Sequence, residues 1–482
     1  MQERAVWRPP WYAWLLLGLL TLILADGIGP HRLRGDWLVL IPLVAVGTLV
    51  VRKIWELHPS VTMCAAIALT IFSGAWSQIG LGGLPFDRLL LVIVLLQFVL
   101  LAPGVAHTPR IRLRNVHLLM AVAILYVIIS AVASHTLTTE TGFLSLIDQF
   151  GLAPYLVFLA APAIFAGERE RRLLLATLVG LGAYLGFTAI FESIGPHTLV
   201  FPRYILRVDA ELPGHRAGGP FQSSVAEGIA TFGCAVAASI AFIQWSGRRG
   251  RALAAIAGLA SLFGCFLTLE RGVWIAAVAG VVISGLATRA GRRLLVPGFA
   301  ACVVLIGGAL LLSPALATKT STRIGDQESV WDRENQTAAG LLMLQAKPAF
   351  GFGWDRYTTD SLAYFREAPT YPFDGYAISF GEGPQVPLPL HDAYLAYAVE
   401  LGLVGVFLWL TAFLWGVGSA IFRLGSSSVF PWKLGLFAVA TCFFVVGFFN
   451  PYQAPFPTLL IWVWAGIALE GPSTVRRQLG PR

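Results

Sequence analysis

The sequence predicts an all-α, polytopic transmembrane helical bundle of 12–14 helices, with one long extracytoplasmic loop that contains short helices. Three observations support this fold class. Hydrophobic residues make up 56% of the 482 residues and charged residues only 12%, whereas about a quarter of a soluble domain is charged. Many apolar stretches approach the roughly 20 residues that a bilayer crossing needs. A single long segment, residues 314–390, interrupts them.

Each predicted span is an apolar run bounded by charged, Pro or Gly residues. In chain order the runs are 11–25, 37–51, 61–79, 87–106, 116–133, 147–166, 173–192, 224–245, 252–269, 272–288, 296–313, 391–421, 433–450 and 455–470. The first two and the last are short, which gives the range of 12 to 14. The first run could be a signal peptide, but "LILADG" is a poor small-residue cleavage site, so a signal anchor is favoured.

The basic residues orient the bundle, because Lys and Arg concentrate in cytoplasmic loops. If the N-terminus is cytoplasmic, 21 of the 34 basic residues fall on that side, including the short loops "SGRRGR" and "RAGRR". Both termini are therefore predicted to be cytoplasmic. The net charge of +8 reflects this topology. The long outer loop has a net charge of −3, so no nucleic-acid surface is predicted.

The chain divides into four predicted regions. N-terminal helices occupy 1–192, central helices with an Arg-bearing outer loop 193–313, the extracytoplasmic (periplasmic) loop 314–390, and C-terminal helices 391–482. The stretch "QTAAGLLMLQAK" in the third region has helical spacing, and eleven aromatic residues there argue against disorder. The five cysteines all lie in apolar runs without paired spacing, so neither a disulfide framework nor a zinc site is indicated.

Three segments on the outer side carry side chains that could bind a substrate or catalyse a reaction. "LPGHRAGGPFQSS" brings Arg216 to the mouth of a span, and "FLTLERGVWIAA" places Glu270 and Arg271 between two spans. "PLPLHDAYLAYAVELGLVG" places His391 in the first turn of a helix, after prolines that cannot continue one. The topology that the basic loops indicate puts all of these residues at the outer ends of spans. There a charge avoids the cost of several kcal/mol that it would have at the bilayer centre.

Each residue also has a purely structural interpretation. Arg216 could be an interfacial anchor that reaches the headgroups. Arg271 could pair with Glu270 to close a tight turn between two helices. His391 could be an ordinary helix-terminal residue, with Asp392 favoured beside it by the helix dipole.

Taken together, the three segments indicate a catalytic site. Two guanidinium groups match the oxygens of a pyrophosphate, and a histidine can accept a proton from a hydroxyl near neutral pH. This combination predicts displacement of a diphosphate leaving group by an alcohol. The outer side lacks ATP, so the donor would be a lipid diphosphate. Two acidic pairs, Asp209 with Glu211 and Asp326 with Glu328, are interpreted as loop charges, and neither a metal nor a cofactor is predicted.

At these residues the sequence resembles the bacterial O-antigen ligase and O-antigen polymerase superfamily of integral membrane glycosyltransferases. "HRAGGPFQSS" resembles the family's Arg-x-x-Gly-x-Phe stretch, and "LTLERGVWIA" resembles its Ser-Arg-Gly-x-Trp helix start. "GFGWDRY", followed by "HDAYLAYAVELGLVG", resembles its Gly-x-Gly segment and its His-Asn-x-Tyr-Leu helix. The likeness is best over residues 210–420, and before residue 190 it is only a matching number of hydrophobic helices.

The resemblance implies a specific reaction in the cell envelope. Such enzymes transfer a glycan from undecaprenyl diphosphate to an acceptor hydroxyl on the periplasmic side of the inner (cytoplasmic) membrane, with inversion and without metal. In lipopolysaccharide biosynthesis the acceptor is lipid A-core. By position, Arg216 and Arg271 would bind the donor diphosphate and His391 would act as general base. Tyr394 and Glu400 would support the histidine helix, and the aromatic loop would cover the site.

The sequence departs from the family at two positions. Asp392 stands where the family often has Asn, and Glu270 where it often has Ser. Glu270 would partly cancel the charge of Arg271. Arg203 and Arg207 are therefore further candidates for binding phosphate.

Alternatives within and beyond the superfamily stay open. A polymerase would use another lipid-linked repeat as acceptor, and the single compact outer loop slightly favours a ligase. A lipid-linked oligosaccharide flippase or other transporter would also need an apolar bundle and arginines. Transporters usually have repeated halves, and the two halves of this sequence do not resemble each other.

Overall fold

The computed structural model describes residues 52–72, 86–101, 113–208, 216–367, 390–422, 429–452 and 454–469. The predicted spans 11–25 and 37–51 therefore lie outside the described residues. Contacts divide the chain into two compact units, residues 1–106 and residues 107–482.

The regular structure of the described residues is helical, and no strand occurs in them. In chain order the principal helices are α1 (Pro59–Thr70), α2 (Phe86–Leu101), α3 (Asn115–Ala133), α4 (Leu152–Ile164), α5 (Glu168–Ser193), α6 (Ser224–Gln244), α7 (Arg248–Leu267), α8 (Arg271–Leu286), α9 (Arg289–Leu312), α10 (Pro314–Gly325), α11 (Glu328–Ala346), α12 (Tyr357–Glu367), α13 (Ala393–Phe422), α14 (Phe430–Val446) and α15 (Pro455–Leu469). A helix lies at each predicted span that the structure describes.

Six segments of the described chain are long and apolar enough to cross a membrane. They are α3, Thr141–Ile164 (which contains α4), α5, α6, α7 and α13, and a bent pair within α9–α11 could make a seventh. Four more apolar helices, α1, α8, α14 and α15, are shorter. The prediction of an all-α polytopic membrane bundle is thus confirmed. The total of 12–14 spans stays a prediction.

The first unit contributes α1 and α2, which pack together. The amide of Gln97 on α2 donates to the carbonyl oxygen of Ile54 at 2.9 Å, just before α1. Asp87 and Arg88 form a buried ion pair of 2.6 Å at the start of α2. These two contacts pair the buried side chains of Gln97, Asp87 and Arg88.

The second unit is built around α15 and α6. Every residue of α15 is buried, and α15 packs against α4, α13 and α14. The helices α5, α6 and α7 pack against one another, and α8 packs on α14. A Cβ on Gly186 of α5 would overlap the backbone of Ala260 on α7, so a small residue sets the close approach of these two helices.

The predicted outer loop contains α10, α11 and α12. Ser313 caps α10 by accepting a hydrogen bond from the Leu316 N–H, and Pro314 occupies the first position, where a missing N–H is tolerated. The helix α11 includes the stretch that was predicted to be helical. It packs on α13 through a core that includes Met343, Leu395 and Val399.

The aromatic residues of this loop are partly internal. Trp354, Tyr357 and Phe365 are each 2% exposed, so these rings pack within the protein. Trp354 donates from Nε1 to the carbonyl of Gly142 at 2.9 Å. The last four aromatic residues of this loop lie outside the described residues.

Backbone hydrogen bonds at a break in α13 hold this loop against the bundle. Gly402 has φ 67° and ψ −179°, a conformation that is essentially restricted to glycine. The N–H groups of Phe352 and Gly353 donate to the carbonyls of Val399 and Glu400, each at 2.9 Å, and the Leu403 N–H donates to Pro348 at 2.9 Å. Backbone groups released by the break are therefore satisfied by residues 348–353 of the loop.

A Gly402→Ala substitution should destabilise the protein by about 1–3 kcal/mol. The new Cβ would overlap the carbonyl group of Ala349 and impose a backbone strain that only glycine avoids. Thermal unfolding of the detergent-purified protein, followed by tryptophan fluorescence, measures the effect. Gly418→Ala on the same helix is the control, because a Cβ there meets nothing within 4 Å. Equal unfolding temperatures for the two variants would contradict the prediction.

Candidate active site

The candidate site lies at one end of the second unit, where several helices begin or end. The N-termini of α6, α8 and α13 meet there, and α10 and α11 of the outer loop lie against them. The contacts described below join these five helices through polar side chains. The sequence separation between the contacting residues exceeds 50 in most cases.

Glu270 is the centre of the polar cluster. It immediately precedes α8 and is only 1% exposed. Arg216 Nη1 donates to Glu270 Oε2 at 3.0 Å, and Arg333 Nη2 donates to Glu270 Oε1 at 3.2 Å. The Ser224 hydroxyl also donates to Oε2 at 3.3 Å. A buried carboxylate is stable only when it is paired and hydrogen-bonded, and these contacts fulfil that condition.

Two further arginines complete the cluster. Arg323 Nη2 lies 3.9 Å from Glu270 Oε2, and Arg323 Nη1 pairs with Asp326. Arg271 donates to the backbone carbonyls of Ile324 at 3.2 Å and Asp326 at 3.3 Å. We call Arg216, Arg271, Arg323 and Arg333 the arginine cluster. With Glu270 and Asp326 its formal charge is +2.

The loop that carries Arg216 is held through its backbone. Ala217 N–H donates to the carbonyl of Leu267 at 3.2 Å. The N–H groups of Gly218 and Gly219 donate to the two carboxylate oxygens of buried Glu192, at 2.9 and 3.1 Å. Burial lowers the pKa of Arg216, and Glu270 opposes that shift. Its guanidinium stays charged because arginine does not deprotonate in proteins.

His391 precedes α13 and is held by Gln336 of α11. The His391 backbone N–H donates to Gln336 Oε1 at 3.0 Å, and His391 Nδ1 lies 2.8 Å from the same oxygen. The backbone donor identifies that amide atom as oxygen, which only accepts hydrogen bonds. Nδ1 must therefore carry the proton in the neutral ring, and Nε2 carries the lone pair.

One helix joins the arginine cluster to the histidine. Arg333 and Gln336 are three residues apart on α11, so their side chains lie on the same face. One of them holds Glu270 and the other holds His391. The structure thereby brings Arg216, Arg271 and His391 to one end of the bundle, with Glu270 and α11 between them.

The supporting residues on α13 have structural contacts. Asp392 Oδ1 accepts from the N–H groups of Tyr394 at 2.9 Å and Leu395 at 3.0 Å, which makes Asp392 the N-cap of α13. Burial raises the pKa of Asp392, although these two hydrogen bonds oppose the shift. The Tyr394 hydroxyl donates to the carbonyl of Phe444 at 2.6 Å. Glu400 accepts from the Tyr357 N–H at 3.4 Å and so contacts the outer loop.

Arg203 and Arg207 lie apart from this cluster. Arg203 is exposed and donates to the backbone carbonyls of His197 at 2.9 Å and Thr198 at 3.0 Å. Arg207 is exposed as well. In the described part of the chain, no contact connects either of them with the arginine cluster.

Two sequence-based interpretations change in the structure. Glu270 pairs with Arg216 and Arg333. Its neighbour Arg271, the partner in the alternative structural interpretation, donates to backbone carbonyls of the outer loop. Asp326 was interpreted as a solvated loop charge, but it pairs with Arg323 inside the cluster. The cause is the same in both cases, because the loop helix α10 returns over the start of α8.

The sequence analysis missed three residues of the site. Arg323, Arg333 and Gln336 lie on α10 and α11, where other polar residues surround them. The one signal for Arg333 and Gln336 was their spacing of three in a predicted helix. In the described residues, no group of three or more His, Cys, Asp or Glu side chains could hold a metal ion.

Part of the chain matches a known protein family. Residues 256–410 match the O-antigen ligase family. The match covers about a third of the chain and confirms the resemblance to the O-antigen ligase superfamily. It includes Glu270, Arg271 and His391, and also α10 and α11. No curated protein matches the chain. The family indicates a membrane enzyme with activity of the O-antigen ligase or polymerase type.

A Glu270→Gln substitution should destabilise the protein by about 3 kcal/mol, because it removes the buried charge that compensates the arginine cluster. Thermal unfolding in detergent measures the loss. Glu168→Gln is the matched control, since Glu168 pairs with Arg172 where both side chains are more than 60% exposed. The control should change stability by no more than about 0.5 kcal/mol. Similar unfolding temperatures for both variants would show that Glu270 has no such structural role.

Proposed function

We propose that this protein transfers a glycan from undecaprenyl diphosphate to an acceptor hydroxyl at the periplasmic face of the bacterial inner membrane. The observation that carries the proposal is the connection, through α11, between a half-buried arginine cluster and a histidine with a defined tautomer. The family match supports the reaction type. Lipid A-core is the proposed acceptor, so the protein would act as an O-antigen ligase.

The arginine cluster suits the donor diphosphate. Its formal charge of +2 attracts an anion, and each guanidinium offers donors in a fixed planar arrangement. Arg216 Nε is buried and has no hydrogen-bond partner among the described residues. Burying a donor without a partner costs about 1–3 kcal/mol, and a phosphate oxygen would remove that cost. Arg323 and Arg333 join Arg216 and Arg271 in this role.

His391 suits the proton transfer. Gln336 holds the proton on Nδ1, which leaves the Nε2 lone pair to accept the proton of the acceptor hydroxyl. The acceptor oxygen then bonds to the anomeric carbon of the donor sugar, and the bond from that carbon to the diphosphate oxygen breaks. The arginine cluster stabilises the negative charge that develops on the leaving diphosphate. Attack opposite the leaving group inverts the anomeric configuration.

We favour a ligase over a polymerase because the sequence has a single long outer loop before His391. In the described part of this loop, α10 contacts the start of α8 and residues 348–353 contact the break in α13. In a polymerase of the same superfamily the acceptor would be a second lipid-linked glycan. The chemistry at His391 would be the same.

A His391→Ala substitution should reduce transfer about 10² to 10⁴-fold, because a general base contributes that much to a rate. The purified variant, reconstituted with a polyprenyl-diphosphate glycan and the acceptor glycolipid, is assayed by the mass of the product. In the same assay Arg216→Ala should chiefly raise the KM for the donor.

His197→Ala is the control for His391→Ala, because His197 is exposed and lies outside the site. It should retain wild-type activity and confirm that loss of a histidine alone does not inactivate the protein. Wild-type transfer by a folded His391→Ala protein would rule out the proposed mechanism.

A Gln336→Glu substitution should move the pH dependence of transfer upward. The base must be neutral to accept a proton, so activity rises as pH rises. A carboxylate beside Nδ1 favours the charged imidazolium, and the rise should then occur at higher pH. Rates measured between pH 5 and pH 9 test this shift. Gln336→Leu, which adds no charge, should lower the rate without an upward shift, and identical profiles for both variants would contradict the role of Gln336.

A further inference from the structure

A second feature of the site is a neutral cavity beside His391. Its volume is about 220 Å³. It lies between the first turns of α6 and α15 and the segment that follows α14. Its described lining includes Ala226, Ile229, His391, Phe443, Asn450, Pro457 and Thr458, and contains no Asp, Glu, Lys or Arg. His391 contributes an imidazole to it.

Two side chains of the cavity are buried without a hydrogen-bond partner. Asn450 is 2% exposed and Thr458 is 4% exposed. Neither Asn450 Nδ2 nor Thr458 Oγ1 has a partner among the described residues. Buried polar groups are normally paired, so water or a ligand in the cavity would supply the missing partners.

The position of Asn450 connects the cavity with the arginine cluster. Its Nδ2 atom lies 3.1 Å from the place that a Cβ on Gly272 would occupy. Gly272 follows Arg271 in the first turn of α8. A molecule in the cavity would therefore lie between His391 on one side and the start of α8 on the other.

The lining matches one chemical class of ligand. Phe443, Ile229 and Pro457 provide apolar surface, and Asn450 and Thr458 provide hydrogen bonds. A sugar ring has apolar C–H faces and hydroxyl groups at its edge, and it fits this combination. A diphosphate does not, because none of the four arginines of the cluster lines the cavity.

We propose that this cavity binds the acceptor sugar residue that carries the attacking hydroxyl, with Asn450 and Thr458 as its hydrogen-bonding groups. The inference rests on the proposed function, which places the acceptor hydroxyl against His391 and the donor diphosphate against the arginine cluster. Asn450 and Thr458 are specificity-determining residues for the acceptor and do not bind the donor.

The test separates the acceptor from the donor. Purified protein is reconstituted in liposomes with lipid-linked glycan and acceptor glycolipid, both extracted from a strain that lacks the gene. Each substrate is varied in turn, and the KM values are measured for wild type, Asn450→Leu and Thr458→Val. Both substitutions keep the approximate side-chain shape and remove the polar group.

Each variant should raise the acceptor KM about tenfold, which corresponds to about 1.4 kcal/mol, and leave the donor KM unchanged. Ala226→Met, which narrows the cavity and removes no polar group, should also raise the acceptor KM. The matched control is Thr231→Val. Thr231 is buried on α6 and donates to the Glu227 carbonyl at 2.7 Å, and it does not line the cavity.

Three results would overturn the inference. The first is a raised donor KM with an unchanged acceptor KM, which would assign the cavity to the donor sugar. The second is an acceptor KM within twofold of wild type for both Thr458→Val and any folded Asn450→Leu protein. In these two cases the wild type still forms product, so the proposed function stands. Absence of product from the wild type would overturn both.

Discussion

The two carboxylate oxygens of Glu270 hold together segments that are far apart in the chain. Oε2 accepts from Arg216, and Oε1 accepts from Arg333 of the outer loop. A carboxylate that is only 1% exposed is costly to bury without such partners. The arginines in turn need an anion, since like charges at this distance repel. The end of the bundle where the site lies is therefore assembled around one buried ion.

The outer loop is part of this assembly because α11 is fixed at both ends. Near its start, Arg333 pairs with Glu270. Just after its end, residues 348–353 bond to the backbone at the break in α13. Making these backbone hydrogen bonds costs no side-chain entropy, whereas an exposed side-chain contact must order the side chain. The backbone contacts therefore hold the loop more firmly. Gln336 lies between these two fixed points, and this explains how a residue of a loop can orient His391.

The sequence predicted the helices well and the site only in part. Apolar runs such as 224–245 have the length of a bilayer crossing, and that length is a local property. Arg216, Arg271 and His391 could be predicted because each lies in a motif at a helix start. Arg333 contacts Glu270 across 63 residues, and Gln336 contacts His391 across 55. Contacts of that range depend on how α10 and α11 fold back, which no periodicity in the loop reveals.

Glu270 also bears on how a diphosphate could be bound. Four long arginine side chains would lose much rotational freedom if the diphosphate of the glycan donor alone had to order them. That loss would weaken binding of the glycan donor. The hydrogen bonds to Glu270 already order the side chains of Arg216 and Arg333. A guanidinium has five N–H donors, and each of these two gives one to the carboxylate in the structure. The other N–H groups of these two guanidiniums can still bind the diphosphate, and their geometry is fixed. A serine at position 270 would leave a larger positive charge but less order. The carboxylate therefore weakens the attraction for the diphosphate and improves the preorganisation of the arginines.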